Sequence, residues 1–176
     1  MYMDMTEILK NQSKETRCYI MSAIMIFEGF KKIDALTEYF GKWNLETLGL
    51  TKEDMERFPM PDYTQVVSHL KPISDTKVRD WIITNTYAPV LQSKRADALK
   101  TFRIFCSDLC WDVNEIKKST KLTEELLELS PIDGGINIED SMINRGSRNS
   151  RGAGNGCLFA LALMIVSTSI FVYAIS

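Results

Sequence analysis

Histidine, and charge of either sign near its C-terminal end, are what this 176-residue chain has least of. His69 is the single histidine. It sits in YTQVVSHLKP with no local metal partner and no motif around it, so it is expected as a surface or partly buried helix-end residue. No Asp, Glu, Lys or Arg follows Arg151. Glycine-rich phosphate loops, H-E-x-x-H, G-x-S-x-G and paired C-x-x-C are absent, which leaves no sequence signature of nucleotide, zinc or acyl-transfer chemistry. Four cysteines, Cys18, Cys106, Cys110 and Cys157, are too widely spaced for a disulfide framework. The opening MYMDMTEILKNQSKETRCYIMSAIMIF carries acids early and has no clean signal-peptide layout. A reducing, cytosolic setting is expected for the polar part of the chain. A basic excess is lacking too. Residues 1–140 hold 18 Lys and Arg against 23 Asp and Glu, a net of −5. Phosphate binding needs clustered Lys and Arg, so no nucleic-acid partner is expected.

What is present divides unevenly along the chain. Overall, 45% apolar and 25% charged residues suit a protein that folds around a core. The three remaining basic residues, Arg145, Arg148 and Arg151, lie together in 141–156 without an acid. Beyond them CLFALALMIVSTSIFVYAI, residues 157–175, is an uncharged run of 19 in which 16 are aliphatic, aromatic, Met or Cys. As a helix this run would span ~28 Å, against ~30 Å of bilayer hydrocarbon. It is apolar all round, whereas a core helix usually has a polar face. A glycolipid-anchor signal would need a secretory leader and a polar spacer. The expectation is a single transmembrane helix that spans the lipid bilayer as a tail anchor. Arg145, Arg148 and Arg151 flank it on one side and nothing charged follows, so the positive-inside bias places the N-terminal part in the cytoplasm. Cys157, at the cytoplasmic end of the span, is open to reversible palmitoylation; the plainer reading is a small apolar residue that begins the helix.

Ahead of the span, PIDGGINIEDSMINRGSRNSRGAGNG, residues 131–156, has six glycines and several Ser and Asn residues. It is expected to be a flexible linker with an r.m.s. reach of roughly 25–30 Å. Residues 1–130 read as a cytosolic helical domain: all-α, a compact bundle of six or seven helices. In ADALKTFRIFCSDLCWD, Ala98, Phe102, Phe105, Cys106 and Leu109 recur at helical spacing, with Lys100, Arg103 and Ser107 between them. SDTKVRDWIITNTYAPVL carries a similar stripe in Val78, Trp81, Ile82 and Asn85, with Pro89 expected to end the helix. RCYIMSAIMIFEGF offers Ile20, Ala23, Ile24 and Phe27, then Gly29 as a stop. Thr51 and Ser74 are expected N-caps, and Asp112 to Glu115 has capping-box spacing. FPMPD reads as an irregular hinge.

Two features could carry chemistry, and each has a plainer reading. Cys106 and Cys110 stand one helical turn apart, as metal ligands can, but two further ligands are not signalled and Cys106 lies on the apolar stripe. Trp43, Trp81 and Trp111 fall at helix ends or on apolar faces, as core anchors do. No cofactor and no catalytic set is expected.

Residues 69–118, HLKPISDTKVRDWIITNTYAPVLQSKRADALKTFRIFCSDLCWDVNEIKK, resemble the second half of a tellurite-resistance TerB-like helical domain. The resemblance lies in a helix, a short loop, a second amphipathic helix and then a "Leu-Gly-hydrophobic-x-x-x-Glu-hydrophobic" turn. Here that turn is DLCWDVNEI, with Cys110 where the family has glycine. The family's acidic pattern, linked to metal binding, is met only approximately by Glu28, Gly29 and Asp34 in FEGFKKIDALTE, and its second instance has no counterpart in YAPVLQSKR. The resemblance implies a membrane-proximal scaffold or stress-associated module, with Glu28 and Asp34 as the candidate metal ligands. Solvated carboxylates are the plainer reading of both.

These features together point to a tail-anchored membrane protein that presents a cytosolic helical binding or adaptor domain to a protein partner. A membrane-tethered enzyme using His69 and acids is one alternative. An apoptosis or membrane-remodelling regulator is another, although the Asn-Trp-Gly-Arg sequence such regulators carry is missing.

Overall fold

The computed structural model describes residues 5–31 and 35–128, the side chains of 35–40 excepted. The linker at 131–156, the apolar run at 157–175, Asp34, Arg145, Arg148, Arg151 and Cys157 lie outside the described residues. Within them the chain is all-helical: α1 Met5–Lys10, α2 Lys14–Glu28, α3 Ala35–Leu48, α4 Lys52–Arg57, α5 Tyr63–Leu70, α6 Thr76–Ser93, α7 Ala96–Leu109 and α8 Val113–Leu127. Eight helices stand where six or seven were expected. The six-residue α1 and α4 are too short to show a period in the sequence, and helices this short hold only when packed. Among the described residues no helix is long and apolar enough to cross a membrane.

The expected apolar stripes form the core. Ile20, Ala23, Ile24 and Phe27 of α2 are fully buried, as are Ala98, Phe102, Phe105, Cys106 and Leu109 of α7. Gly29 caps α2 as expected. Ser107, expected between the buried positions, is itself buried. α2 and α6 lie at the centre: α6 packs on α2, α7 and α8, and α2 packs also on α5 and α3. An aromatic cluster ties four helices together. Phe27 of α2 meets Phe102 and Phe105 of α7 edge-on at 5.6 and 5.3 Å. Tyr87 of α6 stacks on Phe102 at 4.7 Å, and Tyr63 of α5 reaches Phe105 at 6.5 Å.

Pro89 does not end its helix. α6 runs on to Ser93 with Pro89 inside it. An interior proline costs about 3 kcal/mol through its missing N–H and its clash with the preceding turn. Stopping there would uncover Val90 and Leu91, the next two residues, which are buried, at about 1.5–3 kcal/mol each. Packing outweighs propensity.

The caps follow the sequence more closely, with two corrections. Thr51 opens α4 in a complete capping box with Asp54, and Asp62 opens α5 in another with Gln65. The cap of α6 is Asp75, not Ser74: its carboxylate accepts from the N–H groups of Lys77 and Val78 at 2.9 and 3.2 Å. A carboxylate satisfies two free donors and suits the positive end of the helix dipole, which a hydroxyl does less well. Asp112 caps α8 through the N–H groups of Asn114 and Glu115. Glu115, however, turns to Arg79 of α6 at 3.3 Å rather than closing its own box. Gly49, at φ +61°, ends α3 in a Schellman turn, with Leu50 N–H bonded to Leu45 O and Gly49 N–H to Glu46 O.

Candidate functional site

The residues that could carry chemistry are scattered by the fold rather than gathered. Cys106 and Cys110 part company at the end of α7. Cys106 faces the core, where burial pushes its thiol pKa well up. Cys110 lies one residue past the helix in left-handed backbone, φ +54°, and is exposed. One thiol is sealed in the core and the other is open to solvent. Glu28, at the last position of α2, lies 3.0 Å from Lys31 Nζ, with both side chains largely buried. A buried carboxylate beside an ammonium is a structural ion pair. Asp34, its expected companion, is outside the described residues. Among the described residues no group of three or more His, Cys, Asp or Glu could hold a metal ion.

His69 occupies the surface between α5 and α2. Its ring stacks on Tyr19, with centroids 3.6 Å apart and planes 13° from parallel. Phe58, just after α4, closes the other side of Tyr19 edge-on at 5.1 Å. His69 Nε2 lies 3.5 Å from Glu15 Oε1, and both side chains are well exposed. Arg17, on α2 two residues after Glu15, donates to the carbonyls of Leu48 and Gly49 at 2.7 and 3.1 Å, a cation at the negative end of α3. Lys14 bonds Asp54 of α4. This edge of the molecule is where the N-terminal part of α2 is tied to the start of α4 and to the ends of α3 and α5. Its ionisable groups hold helices together.

A second polar seam joins α6 to α7 and α8. Tyr87 is fully buried and donates its hydroxyl to Glu124 at 2.7 Å, and burial with that carboxylate raises the phenol's pKa well above its usual value. Ser119 donates to Asp80 at 2.6 Å. Arg79 lies over the Trp111 ring at 5.4 Å and donates to Ile73 O, and Trp111 donates to Lys71 O at 3.1 Å. These contacts pin the α5–α6 connection against the start of α8.

Exposed apolar side chains are the other feature a binding protein would use, and composition alone does not reveal them. Trp81 and Trp111 are buried, as expected for anchors, but Trp43 of α3 is 42% exposed. Met60 in the hinge is 50% exposed, and Leu122 and Leu126 of α8 are 51% and 70% exposed. Single exposed apolar groups are ordinary, whereas Leu122 and Leu126, one turn apart on one helix, form a stripe.

Comparison with known proteins finds no matching family model, no matching curated protein and no matching solved structure.

Proposed function

We propose that the chain is a tail-anchored membrane protein whose helical domain is an adaptor held at the cytoplasmic face of a bilayer. The observation that carries this reading is the uncharged run at 157–175, preceded by Arg145, Arg148 and Arg151 and by a linker rich in Gly, Ser and Asn. A run of that length and composition satisfies its backbone in lipid only as a helix. Arginines on its N-terminal side favour a cytoplasmic domain. The exposed Trp43, Met60, Leu122 and Leu126 support a domain that offers surface to a protein partner.

The TerB-like kinship and a stress-associated role belong to the same proposal. Supporting them is the succession α6, short loop, α7, turn, α8, with Cys110, at the family's glycine position, in the left-handed backbone that glycine favours.

Alkaline carbonate extraction with protease protection tests the anchor, using the full chain and a version stopped after Gly156. The full chain is expected to stay with membranes while its helical domain is digested, and the shortened chain to be soluble. Extraction of the full chain, or protection of its domain, would overturn the reading.

A further inference from the structure

α8 leaves two of its leucines outside while hydroxyl side chains turn in. Its fully buried positions are Ile116, Ser119, Thr120 and Thr123, with Val113 and Leu127 partly buried against the core. These hydroxyls are satisfied: Thr120 donates to Lys117 O and Thr123 to Ser119 O within the helix, and Ser119 bonds Asp80 of α6. Small, hydrogen-bonded side chains let α8 lie close against α6, its principal neighbour. Of its three leucines, Leu127 packs against the core, while the other two, which would stabilise the fold if turned inward, point out. Leu122 and Leu126 are 51% and 70% exposed, one turn apart.

The charges beside that stripe are ordered along the helix. Lys118 and Lys121 stand near its middle, Glu125 in its last turn and Glu128 at its C-cap, all four exposed. Acids at the end oppose the helix dipole, which favours them at the start, where Asp112 and Glu115 stand. Within one molecule Lys121 pairs with Glu125, at 3.8 Å and well exposed, a kind of contact that contributes little. A second copy laid antiparallel resolves both features. Leu122 of one copy then meets Leu126 of the other, and the same flank of each helix faces its counterpart. Lys118 and Lys121 run beside Glu125 and Glu128 of the second copy, twice over by symmetry. In a parallel two-fold pair the charged flank of one helix would face the other flank of its partner, so these four charges would not meet.

We propose that the outer face of α8 is a self-association surface on which a second copy of this chain docks antiparallel through Leu122 and Leu126. Two leucines and four ion pairs make a small contact of the weak, transient class. Such a contact becomes populated when both copies are confined to one surface, where effective concentration is high. The pairing goes beyond the anchored-adaptor reading and needs only the face of α8, while a membrane strengthens it.

The test uses full-length chains labelled with donor or acceptor dye and reconstituted at low density into phosphatidylcholine vesicles. Energy transfer is read for wild type, for Lys118→Glu/Lys121→Glu, for Glu125→Lys/Glu128→Lys, and for the two variants mixed. Wild type is expected to show transfer, each variant alone to lose it, and the mixture to regain it, because an acidic face and a basic face attract. All four side chains are exposed, so the variants keep the fold, and circular dichroism checks this. Leu122→Asp is expected to weaken the pairing about tenfold or more, since a desolvated leucine contact is replaced by a charge. Transfer that survives every substitution would place the contact elsewhere on the molecule and overturn the proposal. So would its absence in wild type, the result expected if lipid or a different protein occupies the leucines. Flotation is scored separately: chains that fail to float with the vesicles count against the anchor alone. The same mixtures, read by sedimentation equilibrium in solution at high concentration, then decide the pairing.

Discussion

At Lys94, Cys110 and Glu128 the backbone turns left-handed, φ +52°, +54° and +52°, and each follows the last residue of a helix. A side chain in that conformation costs about 1–2 kcal/mol that glycine does not. Glycine gives back about 0.4–1 kcal/mol through the freedom of the unfolded chain. Cys110→Gly, at an exposed thiol, is therefore expected to stabilise the domain by about 0.5–1 kcal/mol, measured by urea unfolding. A neutral or destabilising result would mean that the thiol's contacts with the carbonyls of Ser107 and Asp108, both at 3.5 Å, matter more than the backbone. Tyr87 carries the second prediction at this scale. Tyr87→Phe removes a buried hydroxyl that donates to Glu124 and is expected to cost about 1–2 kcal/mol near neutral pH. Burial, then the Glu124 carboxylate, raise the phenol's pKa in the folded state. Above pH about 10 the unfolded tyrosine releases its proton while the folded one keeps it. The unfolded state then binds fewer protons, so stability falls as pH rises. The gap between wild type and Tyr87→Phe should be widest below pH about 10 and narrow above it. Urea midpoints taken from pH 8 to 11 check the sign.

Element boundaries test which group at a helix start holds it. Asp75 accepts from two N–H groups of α6, so Asp75→Ala is expected to cost about 1 kcal/mol. Ser74→Ala, at the position that sequence favoured, should be close to neutral, and thermal unfolding of both variants separates them. Periodicity made α2 and α7 legible because their apolar stripes are long and strict: the expected residues from Ile20 to Phe27 and from Ala98 to Leu109 are buried. The same reasoning failed at Pro89, where local propensity yields to the burial of Val90 and Leu91 on the far side. It could not see α1, and it saw α4 only through its Thr51 cap, because six residues cover less than two turns. The face of α8 was illegible for a different reason. Hydropathy would turn its leucines inward, whereas Ser119, Thr120 and Thr123 are buried and Leu122 and Leu126 are exposed.

For the molecule as a whole, the candidate site was read only as far as residue types allow. Separating Cys106 from Cys110 needs the helix end, and placing His69 against Tyr19 and Glu15 needs α5 and α2 brought together from distant parts of the chain. What the complete fold adds is a single aromatic centre. Phe102 stacks on Tyr87 and meets Phe27, so it links α7 to both central helices, and it is fully buried. Phe102→Ala leaves a cavity there and is expected to cost about 3–5 kcal/mol. A domain of this size has about 5–15 kcal/mol in all, so the loss is a large share of its stability. If α1 to α8 unfold as one unit, tryptophan fluorescence and far-ultraviolet circular dichroism of the chain stopped after Gly156 will give the same midpoint. Phe102→Ala will then lower both together. The tryptophans suit this test, because Trp43 on α3 lies outside the aromatic cluster while Trp81 on α6 and Trp111 before α8 belong to the core. Two separated midpoints, with one spared by the substitution, would show instead that the helices around α3 fold apart from the centre built on α2 and α6.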